Sequence, residues 1–252
     1  MNGERITSRK NPLLQQVRRL LTSRKEREET GLYVGDGTKL LDEAVKWCPG
    51  LDTVILSEKL EAPELPRGVK VYWVPPDVME TVSPMKSPQG AVFLCRKPEE
   101  QPPALSPGTL ILDGIQDPGN LGTILRTADA LEVPVVLAEG CADPYGWKAV
   151  RASMGAVFRT PPVQAPGAEL LRQCRERGIP LGATALSPRA RDIRQEELPR
   201  WAVVIGSEGQ GVSRLFLESC DRELIIPMNP RCESLNAASA ATIVLWQMTP
   251  LR

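Results

Sequence analysis

The chain has 252 residues, 42% hydrophobic and 25% charged, with 31 basic and 31 acidic side chains and no histidine. These are the proportions of an ordinary globular protein of one large or two modest domains, and no apolar run approaches the roughly 18 residues that cross a bilayer. The missing histidine removes Ser-His-Asp and Cys-His nucleophile schemes, and net charge zero does not by itself announce a nucleic-acid binder. Cys48, Cys95, Cys141, Cys174, Cys220 and Cys232 are scattered without a Cys-x-x-Cys pair, which argues against a zinc site and for buried, reduced thiols. No metal is expected. The polar opening, Met1 to Lys10, lacks the apolar stretch of a secretory signal, so the expected location is the cytoplasm.

In chain order, Leu13, Leu14, Val17, Leu20 and Leu21 recur at helical spacing after Asn11-Pro12. The same stretch carries a basic stripe: Arg5, Arg9, Lys10, Arg18, Arg19, Arg24, Lys25 and Arg27 against one acid, Glu26. Such a stripe suits phosphates or forms a solvated helix face, and the pattern alone leaves both open. Leu32 to Val34 reads as a strand and Leu40 to Trp47 as a helix. Thr53 to Leu56, Val69 to Val74 and Ala91 to Leu94 read as further strands. Residues 98–107, with Pro98, Pro102, Pro103 and Pro107, read as a stiff linker. The expected division is therefore a small α/β domain at 1–97, the linker, and a second domain at 108–252.

The second part alternates strand-like and helix-like runs. The strands are Leu110 to Leu112, Val133 to Leu137, Pro180 to Ala183, Ala202 to Ile205 and Leu224 to Ile226. The helices are Leu121 to Leu131, Leu170 to Arg177, Val212 to Ser219 and Leu235 to Met248. This is the pattern of a mostly parallel sheet with helices on both faces. Ligands of such sheets bind at the carboxyl ends of strands, and three unusual segments fall there.

The first segment is Asp113 to Ala130, DGIQDPGNLGTILRTADA, in which Asn120 is placed to cap a helix that carries Arg126. Read alone, it could equally be a capped helix with a surface Arg126–Asp129 pair. The second is Ile205 to Ser213, IGSEGQGVS, a glycine turn that is neither a Walker loop nor GxGxxG. Glu208 there suits a cationic or hydroxyl-bearing ligand rather than a phosphate. The third is Ile226 to Ala241, stiffened by Pro227 and Pro230. It leads through Ser234-Leu235-Asn236 into a helix whose first turns are small residues. A tightly packed, Ser-capped terminal helix is the plain alternative.

The three in this order resemble the motifs of the SpoU (TrmH) family of the SPOUT methyltransferase class. The carriers are Asn120-Leu121-Gly122 with Arg126, Gly206-Ser207-Glu208-Gly209-Gln210-Gly211, and Ile226-Pro227-Met228 with Ser234-Leu235-Asn236. Arg151 to Ala156 adds to the likeness, and Ser87-Pro88-Gln89-Gly90 looks like the end of the family's substrate-binding domain.

The resemblance implies a trefoil-knotted SPOUT domain behind a small α/β RNA-binding domain. It also implies transfer of a methyl group from S-adenosyl-L-methionine to a ribose 2′-hydroxyl of structured RNA. It assigns Thr184, Gly206, Ile226, Met228 and Leu235 to the cofactor and Arg126, Asn120, Glu208, Ser234 and Asn236 to catalysis. Ribosomal RNA is the favoured partner, and a homodimer through the second domain is expected, with Ala237 to Ala241, Ile243, Val244 and Trp246 at its surface. The alternatives are a transfer-RNA enzyme, a base-nitrogen methyltransferase, an RNA-binding module without activity, and a Rossmann-type enzyme. The last lacks GxGxxG after its first strand.

Overall fold

The computed structural model of the protein describes residues 3–229 and 231–249. Pro230, expected to stiffen the third loop, lies outside the described residues. Contacts divide the chain into two units, Met1–Glu99 with Asp143–Pro161, and Glu100–Ala142 with Pro162–Arg252.

In the first unit, α1 (Pro12–Thr22) starts where the Asn11 side chain accepts the Leu13 N–H at 2.9 Å and Pro12 fills the first turn. It buries Leu14, Val17 and Leu20, as the spacing predicts. Nothing apolar in the sequence announces α2 (Arg24–Thr30). It is held by its ends and flanks: Ser23 accepts the Glu26 N–H, Arg24–Glu28 and Lys25–Glu29 pair at i,i+4, and Gly31 closes it at φ 66°.

Five strands, β1 (Glu4–Arg5), β2 (Leu32–Asp36), β3 (Leu51–Ser57), β4 (Lys70–Val74) and β5 (Ala91–Arg96), form a mixed sheet in the order β1-β4-β3-β5-β2. One face packs under α1 and the short α4 (Pro76–Met79), with Leu14, Val17, Ile55 and Val92 between them. The other face is covered by α3 (Thr38–Trp47) and by residues from the 143–161 segment. Buried Tyr33 stands there 4.9 Å from the Tyr145 ring and 6.4 Å from that of Phe158.

The basic stripe is largely consumed inside this unit. Arg5, Arg9, Arg19, Arg24 and Lys25 pair with Glu58, Asp77, Glu26, Glu28 and Glu29. Arg18 donates to the carbonyls of Arg9 and Thr81 at 2.8 and 2.9 Å. The Arg27 side chain, 8% exposed, meets Asp143 at 2.7 Å.

The second unit is built on seven parallel strands. They are β6 (Leu110–Asp113), β7 (Val135–Leu137), β8 (Val163–Gln164), β9 (Leu181–Thr184), β10 (Arg191–Asp192), β11 (Ala202–Gly206) and β12 (Arg222–Ile225), in the order β10-β12-β9-β11-β6-β7-β8. One face carries α5 (Pro118–Ala130) and α10 (Ala237–Met248), packed against each other. The other carries α8 (Gly167–Arg177) and α9 (Arg214–Leu217). The short α6 (Trp147–Ala152) and α7 (Ala156–Arg159) belong to the first unit.

Residues 103–105, read as linker, are bonded to α8. Gln173 donates to the Pro103 carbonyl at 2.9 Å and accepts the Leu105 N–H at 3.0 Å, and Leu105 is buried. Among the described residues no helix is long and apolar enough to cross a membrane. The described cysteines are all free. Cys48, Cys95 and Cys174 are buried as expected, whereas Cys232 is exposed on the third loop.

Candidate functional site

The chain runs from β6 outward to β7 and β8, then crosses to build β9 to β12 on the other side. The direction reverses between β6 and β11, and a crevice outside the carboxyl ends of two such strands is where open parallel sheets bind ligands. There Gly206 pairs in register with Asp113, so the first and second segments leave the sheet side by side.

After β6, helix α5 begins one turn earlier than the sequence reading has it. Asp117, not Asn120, is the N-cap: its carboxylate accepts the Asn120 N–H at 2.7 Å, and Pro118 occupies the first turn. An Asp-Pro pair is a strong helix start, because proline gives up an N–H the first turn cannot use. That signal was present in the sequence, and Asn120 is relieved of capping by it. The Asn120 side chain turns instead to the other loops. Its amide nitrogen donates to the Glu208 carboxylate. Its oxygen accepts from the Asn236 amide at 3.0 Å.

The second loop folds tightly on itself. Ser207 and Gly211 exchange backbone hydrogen bonds at 3.2 and 2.9 Å, and a Cβ on Gly206 would lie 2.0 Å from the Gly211 carbonyl carbon. Only glycine fits at 206. Glu208 is carried, exposed, on the far side of this turn.

The third segment ends in α10. Asn236 is its N-cap, accepting the N–H groups of Ala238 and Ser239 at 2.9 and 3.3 Å. The cap is therefore not Ser234, whose side chain is exposed at the rim. Capping fixes the Asn236 oxygen inward on the helix and its NH2 outward toward Asn120.

These loops enclose a cavity of about 1110 Å³, lined by Thr184, Gly206, Glu208, Ile226, Ser234 and Leu235, with Met228 beside them. The Thr184 hydroxyl is tied to the Val204 carbonyl at 3.1 Å. The glycine loop and the 226–235 loop together contribute one acid, Glu208, and no base to the lining. The rest of the lining is mixed in charge, with Arg189, Arg191 and Arg222 beside Glu218, Asp221 and Glu223, so it is the two loops that suit a ligand with an apolar or aromatic body and, at Glu208, a positive centre. S-adenosylmethionine, a nucleoside joined to a sulfonium, has that chemistry, and the space accommodates it.

Asn120, Glu208 and Asn236 thus meet at one point. Arg126 does not join them. Six residues along α5 from Asn120 is about 9 Å of rise and a turn to another side of the helix. Arg126 is exposed and makes no hydrogen bond or ion pair among the described residues, so the surface pair with Asp129 is absent. It borders a groove of about 510 Å³ with Thr127, Ala130, Leu131, Thr242, Ile243 and Trp246. Trp246 is 70% exposed and Ile243 40%, whereas Ala237, Ala238, Ala241 and Val244 are buried and belong to the core, not to a surface as expected.

An all-parallel sheet whose glycine loop, Ile-Pro-Met loop and Asn-capped last helix close on one cavity defines a SPOUT-class transferase that uses S-adenosylmethionine. The profile of the SpoU rRNA Methylase family matches residues 107–246, and that of the MRM3-like substrate binding domain matches residues 11–92. The chain belongs to the SpoU family of RNA methyltransferases.

It is 34% identical over 250 residues to the 23S rRNA (guanosine(2553)-2′-O)-methyltransferase RlmP of Bacillus subtilis, covering 97% of this chain and 99% of that one. The AdoMet-bound rRNA methyltransferase from Sinorhizobium meliloti superposes with a TM-score of 0.85 at 30% identity, over 97% of each chain. The SpoU methyltransferase AviRb of Streptomyces viridochromogenes, solved with AdoMet, gives 0.83 at 26% identity, over 95% of this chain and 97% of that one. The protein transfers a methyl group from S-adenosylmethionine to a ribose 2′-hydroxyl of structured RNA.

Proposed function

We propose that the RNA is ribosomal, that the methylated ribose belongs to a guanosine, and that the crevice outside β6 and β11 is where transfer occurs. The observation that carries the site is the bonded trio Glu208–Asn120–Asn236 at the mouth of the cavity. The Bacillus subtilis relative, matched along nearly its whole length, supports the choice of ribosomal RNA and guanosine.

S-adenosylmethionine supplies an electrophilic methyl group on a sulfonium. Thr184, Gly206, Ile226, Met228 and Leu235, which line the cavity, would hold it. Asn120 and Asn236, each with its amide fixed at both ends, hold the Glu208 carboxylate in one orientation, and Ser234 adds a hydroxyl at the rim. Glu208 then accepts a hydrogen bond from the ribose 2′-hydroxyl and orients it; as the oxygen–methyl bond forms, the sulfur–methyl bond breaks to leave the thioether, and the hydroxyl proton passes to solvent at this exposed carboxylate. Arg126, which faces away from this trio in its own chain, stays protonated; across the dimer proposed below it stabilises the ribose oxygen as negative charge develops, bonding a neighbouring phosphate with the rest of its fork.

Assembly is part of this reading. The apolar groove that Arg126 shares with Ile243 and Trp246 supports a homodimer through the second unit, with each Arg126 at the interface. Trp246→Glu is expected to convert the dimer to monomer by light scattering at micromolar concentration. A wild-type monomer at that concentration refutes the dimer. Location in the cytoplasm, where its RNA is found, also belongs to the reading, and cell fractionation tests it.

The deciding experiment supplies labelled cofactor and purified ribosomal RNA or transfer RNA to the protein, then digests the product to nucleosides. The expected product is 2′-O-methylguanosine from ribosomal RNA. Label on transfer RNA alone, or on another nucleoside, refutes the choice of RNA or of base.

A further inference from the structure

Two of the bonds around the crevice bear on the glycine loop, and they come from the same strand–helix segment. At the loop's far side Glu208 meets Asn120, which Asp117 holds through its backbone N–H. At the loop's base Asp113, the last residue of β6, accepts the Ser213 N–H at 2.7 Å. The Asp113 side chain is a carboxylate in a residue only 8% exposed, and it lies outside the cavity wall. Its partner is one hundred residues away in sequence.

We infer that Asp113 is a positioning residue for methyl transfer: by fixing Ser213 it sets the register of the 206–213 loop, so that Glu208 reaches Asn120 and the loop backbone keeps the shape of the cofactor wall. The loop has two ends to be held. One is the end of β11 at Gly206, anchored by the sheet. The other is Val212–Ser213, where Val212 is buried but the chain has left the sheet. A hydrophobic side chain holds depth without fixing register. A charged acceptor on a backbone N–H fixes it in direction as well as distance, and charge makes that bond stronger than a neutral one. With Asp113 at the end of β6 and Asn120 in the first turn of α5, the loop is spanned between two points of one short stretch of chain. Released from Asp113, the turn can slide while the rest of the sheet stays intact.

The inference rests on the reading of 206–211 as a cofactor loop. Three variants test it in the full chain. Asp113→Ala removes the acceptor. Ser213→Pro removes the donor at a backbone φ of −62° that proline adopts, and its ring, standing where the amide hydrogen was, also forces the Asp113 carboxylate to withdraw. Asp113→Asn keeps an acceptor oxygen. Cofactor affinity is read by calorimetry, single-turnover methylation at saturating cofactor by label transfer, RNA affinity by filter binding, and folding by circular dichroism.

Asp113→Ala and Ser213→Pro are each expected to weaken cofactor binding roughly tenfold to a hundredfold, the range for losing a hydrogen bond to a charged group. The saturated rate is expected to drop about tenfold by the same loss of alignment. RNA affinity should stay within about twofold, and the double variant should be little worse than the poorer single one, because both remove the same bond. Asp113→Asn should recover most of both losses.

A merely structural role would lower the melting temperature and leave the saturated rate intact, and that result overturns the inference. So does a folded Asp113→Ala with normal affinity and rate, or a strictly additive double variant. If Asp113→Ala fails to fold, the contrast between Ser213→Pro and Asp113→Asn decides: equal behaviour of these two overturns it. Failure of the wild-type protein to bind cofactor would instead refute the reading of the loop, a separate result.

Discussion

The α1–α2 segment and the crevice outside β6 and β11 both display charged side chains at the surface, and they use them in opposite ways. In α1–α2 the arginines already have partners inside their own unit. Arg19, Arg24 and Lys25 meet acids on the neighbouring turns, Arg18 bonds carbonyls, and Arg27 is sunk against Asp143. In the second unit, at the crevice and on the separate outer face of α5, the charges are not neutralised. Glu208 is bonded to a neutral amide, and Arg126 has no partner among the described residues. A charge that is satisfied within its own fold contributes to that fold. A charge left unmatched on a rigid helix or a locked turn is available to a ligand. Counting basic residues along a sequence cannot separate the two.

The comparison can be broken at several points. The largest effect is expected at Arg27. Removing one partner of a nearly buried ion pair leaves the other charge stranded, at about 3–5 kcal/mol. Arg27→Ala should destabilise the first unit by that order in denaturant unfolding, while cofactor binding by the second unit persists. A loss under about 1 kcal/mol would mean that the pair is dispensable and the stripe is surface after all.

Arg126→Ala should do the reverse. The saturated single-turnover rate should fall roughly a hundredfold to a thousandfold, the usual effect of losing one preorganised stabiliser of an oxyanion. Cofactor affinity and stability should barely change, since Arg126 lines neither the cavity nor the core. Arg126→Lys should restore little, because a lysine lacks the planar fork that bonds two oxygens. Near-normal turnover in Arg126→Ala would move the catalytic centre elsewhere.

Gly206→Ala sharpens the same contrast within the crevice. The added methyl would collide with backbone, not with a movable side chain, so the turn must shift. Cofactor affinity by calorimetry should fall roughly tenfold or more, from about 1.4 kcal/mol upward, within the range for overpacking. An unchanged affinity would show that the turn is not part of the cofactor wall.

The smallest effect is expected from Arg19, Arg24 and Lys25 changed together to Gln. Their charges are already offset by Glu26, Glu28 and Glu29, so RNA affinity should stay within about threefold. The slope of log affinity against log salt should change by less than about one, the contribution of a single phosphate contact. A steep fall in both would show that RNA displaces these acids and that the stripe is a phosphate surface.

Local pattern in the sequence determined most of the elements and the identity of the three loops. Apolar periodicity announced α1, α3, α5, α8 and α10. Glycine and proline marked the loops at 206–211 and 227, whereas Pro118 and Gly119, which also suggest a turn, lie in the first turn of α5. The motif order pointed to the cofactor chemistry. Elements held by polar ends, such as α2, were silent, since an apolar pattern cannot report a helix that buries almost nothing.

The tertiary structure decided the rest. It gave the helix cap to Asp117 and freed Asn120 for Glu208, 88 residues away. It put Val244 in the core and Trp246 outside, and turned Arg126 away from Asn120. It moved the 143–161 segment onto the Tyr33 side of the first sheet. Each of these depends on which strands become neighbours. A one-dimensional pattern records what residues three or four apart share. It does not record that Asp113 and Gly206 end side by side, and the site exists because they do.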